Sequence, residues 1–251
     1  MKLSVIINTY NRYDSFVQTL KSVQLQSYPN IEIIVVNDKS TDRRYGQIPS
    51  DDIIWVNVEK SSREKFGYPC LGYCRNIGIS HATGDYIAFV DDDDYWLPHK
   101  IQRQLEALVQ SDCQMACSEG MIGNGLYNPS QTYPIYHREF YADYCQTFFE
   151  THYSGWSDRL PDRFDLELIQ KHNFIIHSSV VIEKAFLDQV GGYKELPLGV
   201  EDSDLWLRCL QHTDCIHINE PLLYYDGRLS ERTRLGRIRK RIKRLFRRFG
   251  R

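Results

Sequence analysis

Four consecutive carboxylates, Asp91 to Asp94, follow the run YIAFV. Neighbouring negative charges repel one another unless water screens them or a cation lies among them. Mg²⁺ and Mn²⁺ prefer carboxylate oxygen, and Mg²⁺ commonly joins one or two protein carboxylates to substrate phosphates. The pattern therefore predicts a divalent-cation site that holds a diphosphate. The alternative is an acidic start to the next helix, where acids are favoured, but this explains only one or two of the four.

A second acidic group, Glu201, Asp202 and Asp204, lies in the segment GVEDSDLW. Transfer of a chemical group to a hydroxyl needs a base within hydrogen-bond distance of the hydroxyl proton, and one of these carboxylates is suited to that role. The same acids would also favour the first turn of a helix that begins here. The local sequence leaves both interpretations open.

The apolar pattern of the first half predicts strands that alternate with helices. Near-continuous runs of Val and Ile are typical of strands buried on both faces of a parallel sheet. The predicted strands are residues 3–10, 31–38, 53–59 and 86–91. The predicted helices are one with Phe16, Leu20 and Val23 on its apolar face, one over 71–84, and one opened by Pro98 with Ile101, Leu105, Leu108 and Val109 on its apolar face. This alternation predicts an α/β fold with a doubly wound, mostly parallel sheet.

Polar residues gather where the predicted strands end. Ligands of such sheets bind beyond the carboxyl ends of the strands. Thr9, Tyr10, Asp38 and Asp91 all lie at those ends. We therefore expect one rim of the sheet to carry the binding site.

The pattern changes between Gly123 and Phe164, where eleven aromatic residues are interspersed with Gly, Pro and Asn. Beyond this segment the sequence again predicts regular elements, namely strands over 174–182 and 215–225 and helices over 184–193 and 201–212. The second half is therefore expected to differ in architecture from the first.

Bulk composition is that of an ordinary globular protein. The chain has 251 residues, 42% of them hydrophobic, with a mean hydropathy of -0.48. No run reaches the eighteen or more apolar residues of a membrane span, and Asn8 interrupts the apolar start too early for a signal peptide. We expect a soluble, cytoplasmic domain. Seven cysteines are an odd number in a long chain, which favours reduced thiols over a disulfide framework or a zinc site.

The end of the chain is strongly basic. Residues 228–251 contain twelve Lys or Arg and one acid, whereas the rest of the chain carries a net charge of -13. Ile238, Ile242, Leu245, Phe246 and Phe249 would share one face of a helix, with cations on the other. A basic amphipathic helix suits an anionic membrane surface, so we expect residues 234–251 to bind the inner membrane face. Docking on the acidic body, or a frayed tail, is the alternative, and nucleic-acid binding leaves the apolar face unexplained.

Five segments occur in the order and at the spacing of a known family. They are SVIINTYNR, IIVVNDKSTD, RNIGISHATGDYIAFVDDDDYW, HSSVVIEKAFLDQVGGY and EDSDLWLRCL. Together they closely resemble the family 2 glycosyltransferases, which have the A-type glycosyltransferase fold with a Rossmann-like nucleotide half. The resemblance covers residues 2–225. It implies transfer of a sugar from a nucleoside diphosphate sugar, UDP-sugars being favoured, with inversion at the anomeric carbon.

The resemblance also implies roles for residues of the first acidic group and its surroundings. Tyr10 and Asp38 match positions that contact the nucleotide base, with Thr9 beside them. Arg75 lies near a position that contacts the nucleotide or diphosphate. Asp91 and Asp92 match the part of the motif that faces ribose and metal. Asp93 matches the principal ligand of Mn²⁺ or Mg²⁺, with Asp91 as a further ligand.

In the second half, the resemblance assigns Asp202 as the catalytic base and Glu201 as a residue that orients the acceptor. His177 begins a matched segment and is a candidate metal ligand, although a lone His in an apolar run is more often part of the core. Arg208 could bind diphosphate, but Asp204 four residues earlier offers a simple helical ion pair. Arg228 and Ser230 could belong to a loop that covers the donor.

The acceptor is expected to be a glycan or a lipid-linked sugar. Aromatic side chains of the middle segment, Trp156 among them, could stack on an acceptor sugar, although most should simply build the core. The long membrane tail of processive synthases and their Gln-x-x-Arg-Trp motif are absent, which favours transfer of one sugar per binding event. We expect one domain over 1–225, with a nucleotide-sugar-binding half over 1–122, an acceptor half over 123–225, and a basic tail over 226–251.

Three other functions use similar acids. A sugar nucleotidyltransferase should have a Gly-rich basic loop after the first strand, where NTYNR has no glycine. A phosphatase with an Asp-x-Asp nucleophile should have a Thr shortly afterwards, where DDYW stands. A non-catalytic, membrane-associated sugar-binding protein would not need both acidic groups intact.

Overall fold

The computed structural model describes residues 1–49, 51–154 and 157–227. The predictions for Trp156, for Arg228 and Ser230, and for the basic tail from residue 228 onwards lie outside the described residues. The nine strands of the described part are β1 Leu3–Thr9, β2 Ile31–Asn37, β3 Ile53–Asn57, β4 Tyr86–Asp91, β5 Tyr95–Trp96, β6 Met115–Gly123, β7 Arg163–Phe164, β8 Val181–Glu183 and β9 Cys215–Asp226.

Eight α-helices accompany these strands in the described part of the chain. They are α1 Tyr13–Gln24, α2 Ser62–Phe66, α3 Leu71–His81, α4 Lys100–Val109, α5 Ala142–His152, α6 Leu166–Lys171, α7 Lys184–Val190 and α8 Glu201–Cys209. A five-residue π-helix, Tyr136–Phe140, precedes α5. None of the helices among these residues is long and apolar enough to cross a bilayer.

All the described strands belong to one sheet, in the order β3-β2-β1-β4-β8-β6-β9-β5, with β7 also paired to β9. The first four strands run parallel, which confirms the α/β fold and the parallel strands predicted for the first half of the chain. The second half is mixed. Strand β8 is antiparallel to β4 and β6, whereas β6 and β9 are parallel.

Hydrophobic cores on both faces of the sheet explain the continuous apolar strands. Every residue of β1 is buried, and its side chains alternate between faces. Val5 packs with Phe16 of α1 in one core, while Ile6 packs with Cys74 of α3 in the other. A strand covered on both faces does not alternate apolar with polar residues along its length, so the middle of β1, Val5 to Ile7, is continuously apolar.

The register of the parallel strands brings their polar ends together. Asn8 of β1 pairs with Asp91 at the end of β4, and Thr9 pairs with Asn37 at the end of β2. Asp38 follows directly and donates its N–H to the carbonyl of Thr9 at 2.9 Å. The single rim predicted from the sequence is therefore present.

Several elements differ from their predicted extents. The helix expected over 71–84 ends at His81, and the helix expected from Pro98 begins at Lys100. Val109 is 61% exposed because it lies outside the apolar stripe of α4. Most of the predicted strand 174–182 is irregular, and residues 177–179 form a 3₁₀ turn instead. Strand β6 was not predicted, because its sequence MACSEGMIG contains Ser, Glu and Gly within the apolar run.

Close packing of α3 against the chain before α8 depends on Gly72. A Cβ atom at this position would lie 2.6 Å from the carbonyl oxygen of Lys194 and 3.1 Å from the Cβ of Tyr193. Both neighbours precede the second acidic group. This contact therefore fixes the distance between α3 and the start of α8.

We expect Gly72→Ala to lower the free energy of unfolding by about 1–3 kcal/mol, because the methyl group meets backbone that cannot rotate away. Gly46→Ala is the matched control, since a Cβ there has no neighbour within 4 Å. Urea denaturation of both variants measures the effect. Equal stability of Gly72→Ala and the wild type would contradict the close approach.

Candidate active site

The four consecutive acids make different contacts, although they are adjacent in sequence. Asp91 ends β4 and pairs with Arg75 of α3. Asp92 and Asp93 both pair with Arg12, which lies in the turn after β1. Asp94 turns inward and accepts the N–H of Asp226 at 2.9 Å. Three of the four acids therefore pair with arginines, and the fourth, Asp94, accepts a backbone N–H.

Arg75 joins the two acidic groups of the sequence. Its side chain is 2% exposed, and Nη1 lies 2.5 Å from Oδ1 of Asp202 and 3.4 Å from Oε1 of Glu201. Nη2 lies 3.0 Å from Oδ1 of Asp91. Burial alone would lower the pKa of Arg75, but Asp202 and Asp91 raise it above its usual value. The guanidinium is thus a fixed positive charge between β4 and α8.

The same contacts determine the ionisation of Asp91. Burial would raise the pKa of this carboxyl, yet His177 and Arg75 together hold it well below its usual range. His177 lies on the 3₁₀ turn before β8, with Nδ1 3.4 Å from Oδ1 of Asp91. Asp91 is therefore ionised and held in place from two sides.

Arg12 lies across Asp92 and Asp93. Its Nη1 is 3.1 Å from Oδ1 of Asp92 and 2.6 Å from Oδ2 of Asp93. The preceding residue, Asn11, has a φ of +51°, a left-handed conformation that Asn tolerates better than most residues. This turn carries the chain out of β1 and places the guanidinium over the acids.

Crowding raises the pKa of the remaining acids. Burial is the main cause at Asp92, whose pKa is raised to about 6. Burial and the neighbouring charges of Asp92 and Asp91 raise the pKa of Asp93 to about 7, although Arg12 opposes the shift. The pKa of Asp94 is raised further by its complete burial and by Asp93. Burial and mutual repulsion therefore both disfavour full ionisation of this cluster.

A cleft of about 470 Å³ contains most of the predicted site residues. The predicted residues that line it are Thr9, Tyr10, Asp38, Arg75, Asp91, Asp92, Asp93, Glu201 and Asp202. Tyr10 is 52% exposed, so its ring is available at the mouth of the cleft. His177 is the predicted site residue that does not line this cleft. It lines a neighbouring cavity, which shares Asp91 and Asp202 with the cleft.

Two of the predicted nucleotide contacts are held by hydrogen bonds within the wall of the cleft. Asp38 accepts both the N–H of Ser62, at 2.6 Å, and its hydroxyl, at 2.7 Å. The hydroxyl of Thr9 lies 2.7 Å from that of Tyr45. These contacts fix the side chains before any ligand arrives.

Glu201 and Asp202 begin α8 after a tight loop. Gly199 has a φ of +94°, which favours glycine. Glu201 is 1% exposed, and its Oε2 accepts the N–H groups of Gly199 and Val200 at 2.6 and 3.0 Å. Burial and Asp202 raise the pKa of Glu201. Asp202 is the more accessible of the two and faces the shared wall of the cleft and the cavity.

The helical ion pair predicted between Arg208 and Asp204 is present in the structure. Arg208 donates from Nε to Asp204 at 2.8 Å and makes further bonds to backbone carbonyls. It therefore serves as the predicted intrahelical pair. Lys194 also bonds Asp204, so this acid belongs to the surface of α8.

Sequence reasoning missed Arg12, Tyr225 and Asp226, which all line the cleft. A basic residue directly after a strand that ends at the acidic rim was a usable signal for Arg12. Tyr225 and Asp226 end β9, and no sequence pattern indicates that this strand lies in the same sheet as β4. They reach the site only because β9 lies in the same sheet.

The donor chemistry of the rim fits a hard divalent cation. Asp92 and Asp93 supply carboxylate oxygens whose pKa burial and neighbouring acids raise, and Oδ2 of Asp94 is buried without a hydrogen bond to any described residue. The arrangement itself is not a preformed metal cage, because among residues 1–49, 51–154 and 157–227 no three potential ligands converge on one point. Arg12 stands where a cation would approach Asp93.

Comparison of the sequence with known proteins finds a matching family. A family profile described as "Glycosyl transferase family 2" matches residues 4–167. The Escherichia coli UDP-Glc:alpha-D-GlcNAc-diphosphoundecaprenol beta-1,3-glucosyltransferase WfaP is 43% identical over 108 residues, which cover 41% of this chain and 39% of that protein. The first curated relatives are matched over 34%, 38% and 18% of their own lengths, so this chain spans well under half of each.

Solved structures show the same fold at low identity. TarS residues 1–349 from S. aureus in complex with UDP-GlcNAc has a TM-score of 0.65 at 20% identity, over 91% of this chain and 59% of that one. The mannosyltransferase PcManGT from Pyrobaculum calidifontis, in complex with GDP-Man and Mn²⁺, has a TM-score of 0.60 at 17% identity, over 89% of this chain and 56% of that one. At these identities the likeness establishes the fold alone.

We expect Arg75→Met to destabilise the protein by about 3–5 kcal/mol, because it leaves a group of carboxylates in the interior without their cation. Arg103→Met is the control. Arg103 is about half exposed and pairs with Glu106 and Glu220 on the surface, so its loss should not change stability measurably. Urea denaturation at neutral pH compares the two. Similar curves for both variants would show that Arg75 is not the cation on which the site depends.

Proposed function

The chain belongs to glycosyl transferase family 2, and from this premise we propose that it transfers one sugar from a nucleoside diphosphate sugar to a hydroxyl of a glycan or lipid-linked acceptor. The observation that carries the proposal is the bridge of Asp91, Arg75 and Asp202 at one cleft. It brings a candidate donor site and a candidate base together, although they are far apart in sequence.

The donor is proposed to bind in the half formed by residues 1–122. Tyr10 and Asp38 would contact the nucleotide base, with Thr9 beside them, and Arg75 and Asp92 would lie near the diphosphate and ribose. All five line the same cleft. A UDP-sugar is the favoured donor. UDP-GlcNAc in TarS and GDP-Man in PcManGT support a sugar nucleotide as the ligand class.

Mn²⁺ or Mg²⁺ is proposed as the cofactor, with Asp93 and Asp91 as ligands. His177, whose Nδ1 lies 3.4 Å from Oδ1 of Asp91, is the third candidate ligand, and side chains would have to move for it to join them because no three described ligands converge on one point. When bound, the cation would neutralise negative charge that develops on the departing diphosphate. The Mn²⁺ in PcManGT and the surplus of carboxylates at the rim support this assignment.

Asp202 is proposed as the base in an inverting single displacement. Its carboxylate would remove the proton of the acceptor hydroxyl, whose oxygen would attack the anomeric carbon of the donor as the nucleoside diphosphate leaves from the opposite side. Arg75 fixes the Asp202 carboxylate, and Glu201 would orient the acceptor from the first turn of α8. Holding donor and acceptor in line lowers the entropic part of the barrier.

The acceptor is proposed to bind in the half formed by residues 123–225 and to belong to cell-envelope polysaccharide synthesis. The name of the E. coli relative, with its diphosphoundecaprenol-linked sugar, supports a lipid-linked acceptor. Such an acceptor would lie at the cytoplasmic face of a membrane, which is where the basic tail would place the protein.

We expect Asp93→Asn and Asp202→Asn to separate donor binding from catalysis. Both should lower sugar transfer by roughly 10²–10⁴-fold, the typical contribution of a positioned acid or base. Asp93→Asn should also weaken binding of the nucleoside diphosphate at least tenfold when Mn²⁺ is present, whereas Asp202→Asn should leave it unchanged. Calorimetric titration with UDP and GDP, together with a screen of UDP-sugars and GDP-mannose for turnover, measures both quantities.

The control for these variants is Asp188→Asn, an exposed carboxylate that pairs with Lys184 on α7 and lies outside the cleft. It should behave as the wild type in both assays. Full turnover by Asp202→Asn would contradict the assignment of the base, and unchanged nucleotide binding by Asp93→Asn would contradict that of the metal ligand.

The basic tail is expected to bind anionic lipid, because residues 228–251 carry a net charge of +11 and each basic residue near such a surface contributes about 1 kcal/mol. Co-sedimentation with vesicles of phosphatidylglycerol and phosphatidylcholine compares the full chain with a variant that ends at residue 227. Loss of binding on truncation, and at high salt, is the expected result. Equal recovery of both proteins would contradict it.

A further inference from the structure

A second cavity, of about 230 Å³, lies beside the donor cleft. The two spaces share Asp91, Asp202 and Tyr225, so the cavity meets the cleft at the candidate base. Its volume is below the roughly 300–1,000 Å³ of pockets for drug-sized ligands. It therefore suits one sugar unit better than an extended chain.

The lining of this cavity is polar and aromatic. Tyrosine and histidine side chains dominate it, and none of the described lining residues is Lys or Arg. Arg75 already pairs with Asp91 and Asp202, so the described lining offers a phosphate or another anion no Lys or Arg with which to pair. Hydroxyl and imidazole groups beside aromatic faces match the mixed surface of a neutral sugar.

His137 is held in this lining by a buried carboxylate. It lies in the π-helix before α5 and is 4% exposed, and Glu119 of β6 is fully buried beneath it. Nδ1 of His137 lies 2.9 Å from Oε1 of Glu119. The ring is also in edge contact with Tyr136 and Phe174, at centroid distances of 4.7 and 5.8 Å. These contacts leave the imidazole one orientation.

The contact with Glu119 also determines which ring nitrogen is available. His137 holds the pKa of Glu119 below its usual value despite burial, so Glu119 is an ionised acceptor and the hydrogen lies on Nδ1 of His137. Among the residues that the structure describes, no group bonds Nε2 of His137. Single π-helical turns are frequently found at functional sites.

Burial of the Glu119 carboxylate beside His137 lowers the stability of the fold. Oε2 of Glu119 is buried without a hydrogen bond to any described residue, and a buried charge that is incompletely paired destabilises the fold. A well-packed apolar pair of similar volume would stabilise β6 at least as well. The Glu119–His137 pair is less stabilising than such an apolar pair, but it holds an imidazole at the wall of a cavity that reaches Asp202.

We propose that His137 binds a hydroxyl of the acceptor sugar through Nε2, that Glu119 is the positioning residue that fixes its tautomer, and that the cavity takes one neutral sugar unit. The inference rests on the proposed function, because it identifies the acceptor side of the same reaction. It assigns to the second half of the chain a recognition residue that its sequence pattern does not mark.

The test follows the imidazole nitrogens of ¹⁵N-histidine-labelled full-length protein by long-range ¹H–¹⁵N correlation, with UDP and the diamagnetic cation Mg²⁺ present. The ligands are the methyl glycosides of glucose, galactose, mannose and N-acetylglucosamine. We expect the spectrum to show the Nδ1–H form of His137. At least one glycoside should shift the Nε2 resonance. The glycoside that does so is the probe for the variants.

His137→Asn retains a group that can donate to Glu119 but removes Nε2. It should weaken binding of the probe at least tenfold without changing the affinity for UDP, whereas His212→Asn, at an exposed histidine, should change neither. Glu119→Gln removes the charge that fixes the tautomer. It should give a mixture of tautomers at His137 and an intermediate loss of probe binding, which a purely structural role would not produce.

The proposal is overturned if none of the four glycosides binds, if one binds without moving Nε2, or if His137→Asn binds the probe as well as the wild type does. UDP and GDP are titrated separately into the wild type. Failure of both to bind would contradict the proposed function, whereas nucleotide binding without any response at His137 contradicts only the present inference.

Discussion

A single buried guanidinium, that of Arg75, is the interaction on which the rest of the site depends. Its removal from water costs several kcal/mol, which only well-placed carboxylates offset. Asp91 comes from β4 and Asp202 from α8, so α3 is stable in its position only when both elements are in theirs. Packing of the two halves and assembly of the cleft are therefore energetically coupled. A change that separates them affects stability and site geometry together.

The first half could be predicted from the sequence because its physical determinants are local. Strands β1, β2 and β4 lie between two cores, and continuous runs of Val, Ile and Phe reveal that burial directly. Their parallel direction then places Thr9, Asp38 and Asp91 at one rim without knowledge of any contact. The acids could likewise be identified, since four adjacent carboxylates are too costly to be incidental.

The second half was less predictable because its elements depend on distant partners. β6 is a strand although it contains Glu119, whose charge is acceptable only beside His137, eighteen residues later. Residues 177–179 look like the middle of a strand, but the Ser178 hydroxyl accepts the N–H of Asp91 at 3.0 Å, and the chain turns to allow it. Neither contact has a signal in the local sequence. Roles of individual residues, including His177, stay predictions for the same reason.

Arg75 and Arg12 both pair with acids of the rim, but they differ in how deeply they are buried. The side chain of Arg75 is 2% exposed and that of Arg12 is 38% exposed. Arg75 is locked by its surroundings, whereas Arg12 can turn towards solvent at little cost because its head is already partly hydrated. A cation that binds Asp93 would therefore replace one positive charge with another instead of entering a bare acidic cluster. The displaced guanidinium would remain within the cleft, beside the proposed diphosphate site. A rim of four acids is thus compatible with a stable fold, since Arg12 offsets part of the charge of Asp92 and Asp93 and burial favours the protonated form of Asp94.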